Sequence, residues 1–174
     1  RAASIVYNPD GVEIARYDKI HMFDVEVADS QRHYRESLVF EPGDELVVVA
    51  TPLGKVGLSV CYDIRFPELY RRLFAQGAEC LLVPSAFTRV TGEAHFEVLM
   101  RARAIENVAY TLAACQGGVQ DSGRETHGHS MVVSPWGEVV AKLGLGEGVL
   151  FADVDLEAIH RIRRDMPVHH QRRL

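Results

Sequence analysis

Between Gly57 and Tyr70 an alternating, β-branched run breaks at Cys61 and resumes as a helix start, and this strand-to-helix elbow constrains the fold more than any other stretch. Pro67 suits the first position of a helix, because the N–H it lacks would find no partner there. Glu68 adds a carboxylate to the first turn, where the helix dipole favours negative charge. The helix is predicted over 67–76 and stops at Gly77, a natural C-cap. The pattern then recurs. A buried strand is expected over 80–83 and a second helix over about 93–108, where Phe96, Leu99, Met100 and Ala104 recur at helical spacing and give one apolar stripe. A further strand follows over 110–115.

Hairpin signals are mixed among these units. Strands predicted over 4–7 and 13–17 flank Asn8-Pro-Asp-Gly11, a turn with its cause in proline and glycine backbone preferences. Strands over 45–50 and 56–60 are separated by Thr51-Pro-Leu-Gly54, and strands over 129–134 and 138–142 by Pro135-Trp-Gly137. The stretch 21–43 reads as a polar loop too long for an idle connector, and Gly117-Gly118 opens a glycine-containing loop. A last strand over 149–154 precedes a helix over 156–164, which Pro167 terminates. Interleaved strands and helices with hairpins among them predict a layered α/β protein with a mixed sheet. With 174 residues and no internal repeat, low-complexity tract or boundary, the chain reads as one domain over 1–174. Arg1 is not a Met and the chain opens directly on a hairpin, so the expectation is a piece of something longer whose start is missing.

Composition narrows the function classes. Hydrophobic residues at 47% and charged residues at 25% suit a globular protein. No apolar run approaches the length of a membrane span, and no signal peptide opens the chain. The formal charge of −5 argues against nucleic acid as the main partner. Cys61, Cys80 and Cys115 form no C-x-x-C pair and leave an odd thiol, which argues for a reducing compartment and a cytoplasmic protein. Cys80 and Cys115 fall in apolar runs and are expected in the core.

Cys61 is open to two readings: a buried structural thiol, or a nucleophile that the elbow presents out of the sheet. A free thiol has a pKa of about 8.5 and needs a nearby cation or helix N-terminus to react at neutral pH. None of the eight histidines stands in an obvious catalytic setting; His127 and His129 flank a loop and His169-His170 lie in a tail. Neither pair comes with the spaced thiols or carboxylates of a metal site, and phosphate-loop and dinucleotide fingerprints are absent. Lys19 and Glu36 stand at or beyond strand ends, where side chains can converge on a site, although each alone reads as a surface charge.

Longer motifs resolve these alternatives. Arg16-Tyr-Asp-Lys-Ile-His-Met-Phe-Asp24, Tyr34-Arg-Glu-Ser37 and Gly57-Leu-Ser-Val-Cys-Tyr-Asp-Ile-Arg-Phe-Pro-Glu68 resemble the nitrilase superfamily of carbon–nitrogen hydrolases. The resemblance continues through Pro84-Ser-Ala-Phe87, Gly92-Glu-Ala-His95, Arg101-Ala-Arg-Ala-Ile-Glu-Asn107, Gly128-His-Ser-Met131 and Pro135-Trp-Gly-Glu138, and ends on Met166-Pro-Val168 and Gln171-Arg-Arg173. It covers essentially the whole chain, in order, and is greatest to the Nit branch.

The resemblance implies an α-β-β-α sandwich with mixed sheets, here without its N-terminal elements. It implies that Cys61 is the nucleophile, Lys19 the catalytic lysine and Glu36 a second active-site glutamate. The family's general-base glutamate lies upstream of the lysine in a Pro-Glu context; Glu13, the one glutamate before Lys19, belongs to the hairpin, so that base is missing from this chain. The implied reaction is hydrolysis of a small carboxylate-bearing amide, such as deaminated glutathione or 2-oxoglutaramate, through a Cys61 thioester, with no metal and no organic cofactor. The implied partners are that substrate and further copies of the chain in a homodimer or larger homo-oligomer. Tyr62, Arg65, Phe87 and Thr88 follow strand ends near the nucleophile and are candidate substrate contacts. Arg65 can clamp a substrate carboxylate or pair with an internal carboxylate. N-carbamoyl hydrolysis, or a catalytically dead assembly module, is the alternative.

Overall fold

The computed structural model describes residues 1–173. At its centre is a six-stranded mixed sheet whose strands lie in the spatial order 139–142, 131–133, 110–113, 80–82, 54–58 and 48–51. Strands β5 (Val48–Thr51) and β6 (Gly54–Leu58) form an antiparallel hairpin. Helix α1 (Pro67–Ala75) then carries the chain to β7 (Cys80–Leu82), parallel to β6 with Leu58 opposite Leu82. A second crossover leads to β8 (Tyr110–Ala113), parallel to β7 with Leu82 opposite Leu112. Its helical part begins at α2 (Arg89–Thr91), passes through a π-helical stretch, Gly92–Phe96, and continues as α3 (Glu97–Asn107). Strands β11 (Met131–Val133) and β12 (Val139–Lys142) add antiparallel to β8. The predicted mixed α/β architecture is therefore present.

Packing follows the patterning. Leu69, Tyr70 and Leu73 of α1 and Met100 and Ala104 of α3 are buried against Leu58, Leu81, Val83, Met131 and Val133. The hairpin of β1 (Ala3–Tyr7) and β2 (Glu13–Asp18) packs Val6, Ala15 and Tyr17 against the same core. Helix α4 (Leu156–Asp165) is capped by Asp155, whose carboxylate accepts the Ala158 N–H at 3.0 Å, and inserts Ile159. A short α5 (Val168–Gln171) follows. Among the described residues no helix is long and apolar enough to cross a membrane.

Four expectations are corrected. The stretch 21–43 is not all loop: β3 (Asp24–Glu26) and β4 (His33–Arg35) pair antiparallel, and Asp29 closes the connection by accepting the Gln31 and Arg32 N–H groups at 3.0 and 2.9 Å. The glycine-containing loop after Gln116 is a hairpin of β9 (Gly117–Val119) and β10 (Glu125–His127). The second helical segment starts four residues early, at Arg89, because the Thr88 hydroxyl accepts the Thr91 N–H and caps it. Residues 149–154 form no strand. Leu150 and Val154 pack on the core, but Val149 and Phe151 stay 76% and 85% exposed and Ala152, which alternation would bury, is exposed as well, so the segment does not alternate as a strand would.

Candidate active site

Because β6, β7 and β8 run parallel, their carboxyl ends open on one side of the sheet, the place where α/β proteins of this kind bind ligands. The chain leaves β6 through Ser59 and Val60, whose bonds continue the ladder: Ser59 N–H donates to Leu82 O at 3.1 Å, and Cys61 N–H to Pro84 O at 2.9 Å. At Cys61 the backbone turns sharply, with φ at 50°, a left-handed value uncommon for any residue but glycine. A 3₁₀ turn, Cys61–Arg65, follows and delivers the chain to Pro67. Its internal bonding begins with Asp63 N–H to Val60 O at 3.1 Å, as expected of a helical first turn, whose leading N–H groups have no intrahelical partner. Cys61 gives its N–H to Pro84, and Tyr62 follows it in the turn.

A cavity of about 540 Å³ lies over these strand ends. Cys61 and Tyr62 line it from β6, Pro84–Phe87 from β7, and Ala114 and Gln116 from β8. Lys19, one residue past β2, and Glu36, the first residue after β4, close the opposite side. Lys19 is 3% exposed and forms an ion pair with Glu36. The same Glu36 oxygen accepts the Phe23 N–H at 2.6 Å, so the carboxylate is held from two sides. The β3–β4 hairpin positions Glu36 by placing Phe23 before one strand and Arg35 at the end of the other. Glu36 is the one carboxylate among the described residues that line the cavity.

Three residues thus meet that are far apart in the chain: Cys61, Lys19 and Glu36 share one cavity. The thiol is sunk between strand ends rather than displayed on the surface. Burial pushes its pKa up; a backbone hydrogen bond from Ala86 and the charges of Lys19 and Arg124 oppose that, and Glu36 adds to it. Burial also raises Cys80 and Cys115, to about 11 and about 12. All three cysteines are free.

Of the four expected substrate contacts, Tyr62 and Phe87 line the cavity, and Arg65 and Thr88 are not part of its wall. Arg65 lies over the rings of Phe87 and Tyr62, 5.3 and 5.8 Å from their centroids, and donates to His95 Nδ1 at 3.3 Å. Its partner is a histidine, not the internal carboxylate that one reading allowed. Thr88 is 1% exposed and serves as the cap of α2. Sequence reasoning missed Phe23, Tyr34 and Arg124, which the two unforeseen hairpins bring to the cavity. The residues carrying these side chains gave no periodic signal, since strands of three residues are too short to show one. Among the described residues no cluster of three His, Cys, Asp or Glu side chains could hold a metal ion.

The fold and the cavity define an α/β protein with a cysteine elbow facing an ammonium–carboxylate pair. The carbon–nitrogen hydrolase family model matches residues 2–164, and the chain belongs to that family. It is similar to the deaminated glutathione amidase of Yersinia enterocolitica, with 48% identity over 166 residues, 95% of this chain and 58% of that protein. It is also similar to omega-amidase NIT2 of Xenopus tropicalis, with 44% identity over 168 residues, 97% of this chain and 60% of that protein. The chain therefore spans 58–60% of the length of these relatives. Among solved structures, the C. elegans NitFhit protein superposes with a TM-score of 0.91 at 44% identity, over 98% of this chain and 42% of that one. A mutant of the amidase from Nesterenkonia sp. AN1, in which acrylamide has added to the active-site cysteine, matches with a TM-score of 0.76 at 29% identity, over 97% of this chain and 62% of that one.

Proposed function

We propose that the protein hydrolyses the C–N bond of a small carboxylate-bearing amide, with Cys61 as nucleophile. The observation that carries this reading is the placement of Cys61, Lys19 and Glu36 around one cavity. In the proposed reaction the Cys61 thiolate attacks the amide carbonyl, forming a C–S bond. The oxyanion is held by the Lys19 ammonium and the Tyr62 N–H; preorganised donors of this sort are each worth about 3–4 kcal/mol. Collapse breaks the C–N bond, the amide nitrogen takes the proton given up by the thiol and leaves as ammonia, and water then cleaves the thioester, its hydroxyl going to the acyl group and its proton restoring the thiol. Glu36 orients Lys19. Its tie to both Lys19 and the Phe23 N–H makes it a poor acceptor for the thiol proton, and the resemblance assigns that step to a glutamate upstream of the lysine, a role no described residue fills.

Names of similar proteins support amides of 2-oxo acids as the substrate class, deaminated glutathione and 2-oxoglutaramate first. Exposed apolar side chains, among them Leu38, Val39, Val149 and Phe151, support assembly into a homodimer or larger oligomer. The test is ammonia release by the complete gene product from 2-oxoglutaramate, deaminated glutathione and an N-carbamoyl amino acid. Turnover of an oxo-acid amide that Cys61→Ala abolishes is the expected result. Turnover of the carbamoyl compound alone, or activity that survives Cys61→Ala, overturns the proposal. A second reading, an inactive binding or assembly module, is favoured by the single carboxylate among the described residues that line the cavity. Absence of turnover with a Cys61 no more reactive than Cys80 would establish it.

A further inference from the structure

Among the described residues the cavity holds one cation that neither the reaction nor an ion pair uses. Three basic side chains line it: Lys19, Arg35 and Arg124. Lys19 is matched by Glu36, and Arg35 by Glu26, whose carboxylate accepts from Nη2 at 2.6 Å. Arg124 is in no ion pair among the described residues. Its Nη2 donates to Ala86 O at 2.5 Å, its guanidinium lies 5.4 Å from the centre of the Tyr34 ring, and its buried Nε has no hydrogen-bond partner. Asp29 feels the charge, yet it lies beyond ion-pair range and its carboxylate is taken by the Tyr34 hydroxyl at 2.7 Å and by two backbone N–H groups.

A guanidinium carries five N–H donors, and leaving a buried one unmade is costly unless something fills it. The surroundings sharpen that need. Phe23, Tyr34, Phe40 and Phe87 line the same space, so the charge sits against apolar walls where it is poorly screened. The position is also built, not incidental. Arg124 ends the turn of the β9–β10 hairpin, where Gln120 N–H donates to Arg124 O at 2.8 Å and Gly123 takes a left-handed φ of 80°. Its anchor, Ala86, is the residue whose backbone hydrogen-bonds Cys61. Cation and nucleophile are thus coupled through one residue of the β7 exit.

We propose that Arg124 binds the carboxylate of the ligand in this cavity, in the role expected of Arg65, and so selects anionic over neutral compounds. The assignment of that ligand as an amide substrate rests on the function proposed above; the anion site does not. Arg65 lies over the rings of Tyr62 and Phe87 with a donor turned to His95, whereas Arg124 lines the cavity and offers planar, charge-assisted donors to a carboxylate within it.

Two measurements on the complete gene product, in wild type, Arg124→Met and Arg124→Lys, test this. The first is the rate of alkylation at Cys61, read by peptide mass spectrometry, with anionic iodoacetate and neutral iodoacetamide. The iodoacetate-to-iodoacetamide ratio should fall about tenfold or more in Arg124→Met, the size of one charge-assisted contact, with Arg124→Lys between; loss of the Arg124 charge also leaves less Cys61 thiolate, which slows both reagents alike and cancels in the ratio. The second is kcat/KM for 2-oxoglutaramate against pentanamide. Arg124→Met should raise KM for the charged amide about tenfold more than for pentanamide. A fallen alkylation ratio without turnover of either amide would uphold the anion site and overturn the amidase reading. An unchanged ratio, or equal slowing with both reagents, would make Arg124 a structural tie to Ala86 and overturn the inference.

Discussion

The Tyr17 hydroxyl donates to Asp63 Oδ2 at 2.8 Å, joining the strand that leads to Lys19 to the turn that carries Cys61. Asp63 is fully buried and makes further bonds of the same kind. It accepts the Val60 N–H at 2.8 Å and the His21 N–H at 3.1 Å, and contacts His21 Nδ1 at 2.8 Å. Burial and then Asp63 hold the Tyr17 hydroxyl far above its ordinary pKa, so it remains a donor throughout the working range. One carboxylate therefore sets the distance between two segments 42 residues apart. Asp63→Ala would leave several buried donors unmade, each costing about 1–3 kcal/mol. We expect a loss of at least about 3 kcal/mol in urea unfolding, and a smaller loss for Asp63→Asn, which keeps one acceptor. Equal stability of Asp63→Ala and wild type would refute this account.

The charges around the sulfur fix a direction for Lys19. Burial raises the Cys61 pKa, Lys19 is among the groups that lower it, and Glu36 raises it. Removing the ammonium in Lys19→Ala leaves Glu36 uncompensated, so less thiolate is present at any given pH. The pH profile of Cys61 alkylation by iodoacetamide should move to higher pH in Lys19→Ala and to lower pH in Glu36→Gln. A shift of Lys19→Ala toward lower pH would contradict the arrangement.

Gly92 shows how tightly the helical segment after Thr88 packs on β10. A Cβ added there would overlap Cβ and Cγ of His127, which is buried and stacked on His129 with ring centroids 4.3 Å apart. Overpacking of this kind typically costs about 1–3 kcal/mol. Gly92→Ala should lower the urea midpoint accordingly with an unchanged m-value; an unaltered midpoint would show that the β10 strand can retreat.

Glu79 gives the protein an acid-sensitive tie. Burial pushes its pKa up, but the Lys55 N–H at 2.9 Å and His160 Nε2 at 2.8 Å outweigh that and bring it below the ordinary value. A depressed carboxylate stabilises the folded state above its unfolded pKa of about 4.3, and that contribution disappears as the pH falls through the folded value. Wild type should exceed Glu79→Gln in unfolding free energy at pH 7, and the gap should shrink between pH 5 and pH 3. A gap that widens on acidification would have the wrong sign.

Local chemistry made much of this protein legible in its sequence. Proline, glycine and the period of apolar residues marked the β6 elbow, the ends of α1 and the β11–β12 hairpin, because these signals act over a few residues. Motifs around Cys61, Lys19 and Glu36 likewise named the residues that the fold brings to one cavity. Tertiary structure decided the rest. Three-residue strands such as β3 and β9 exist only because a partner strand supplies their hydrogen bonds, whereas residues 149–154, expected as a strand, are not one. Arg65 and Arg124 are indistinguishable as lone arginines in a sequence. Which of them lines the cavity depends on where a hairpin turn lies relative to the end of β7, a matter of long-range packing that no local period records.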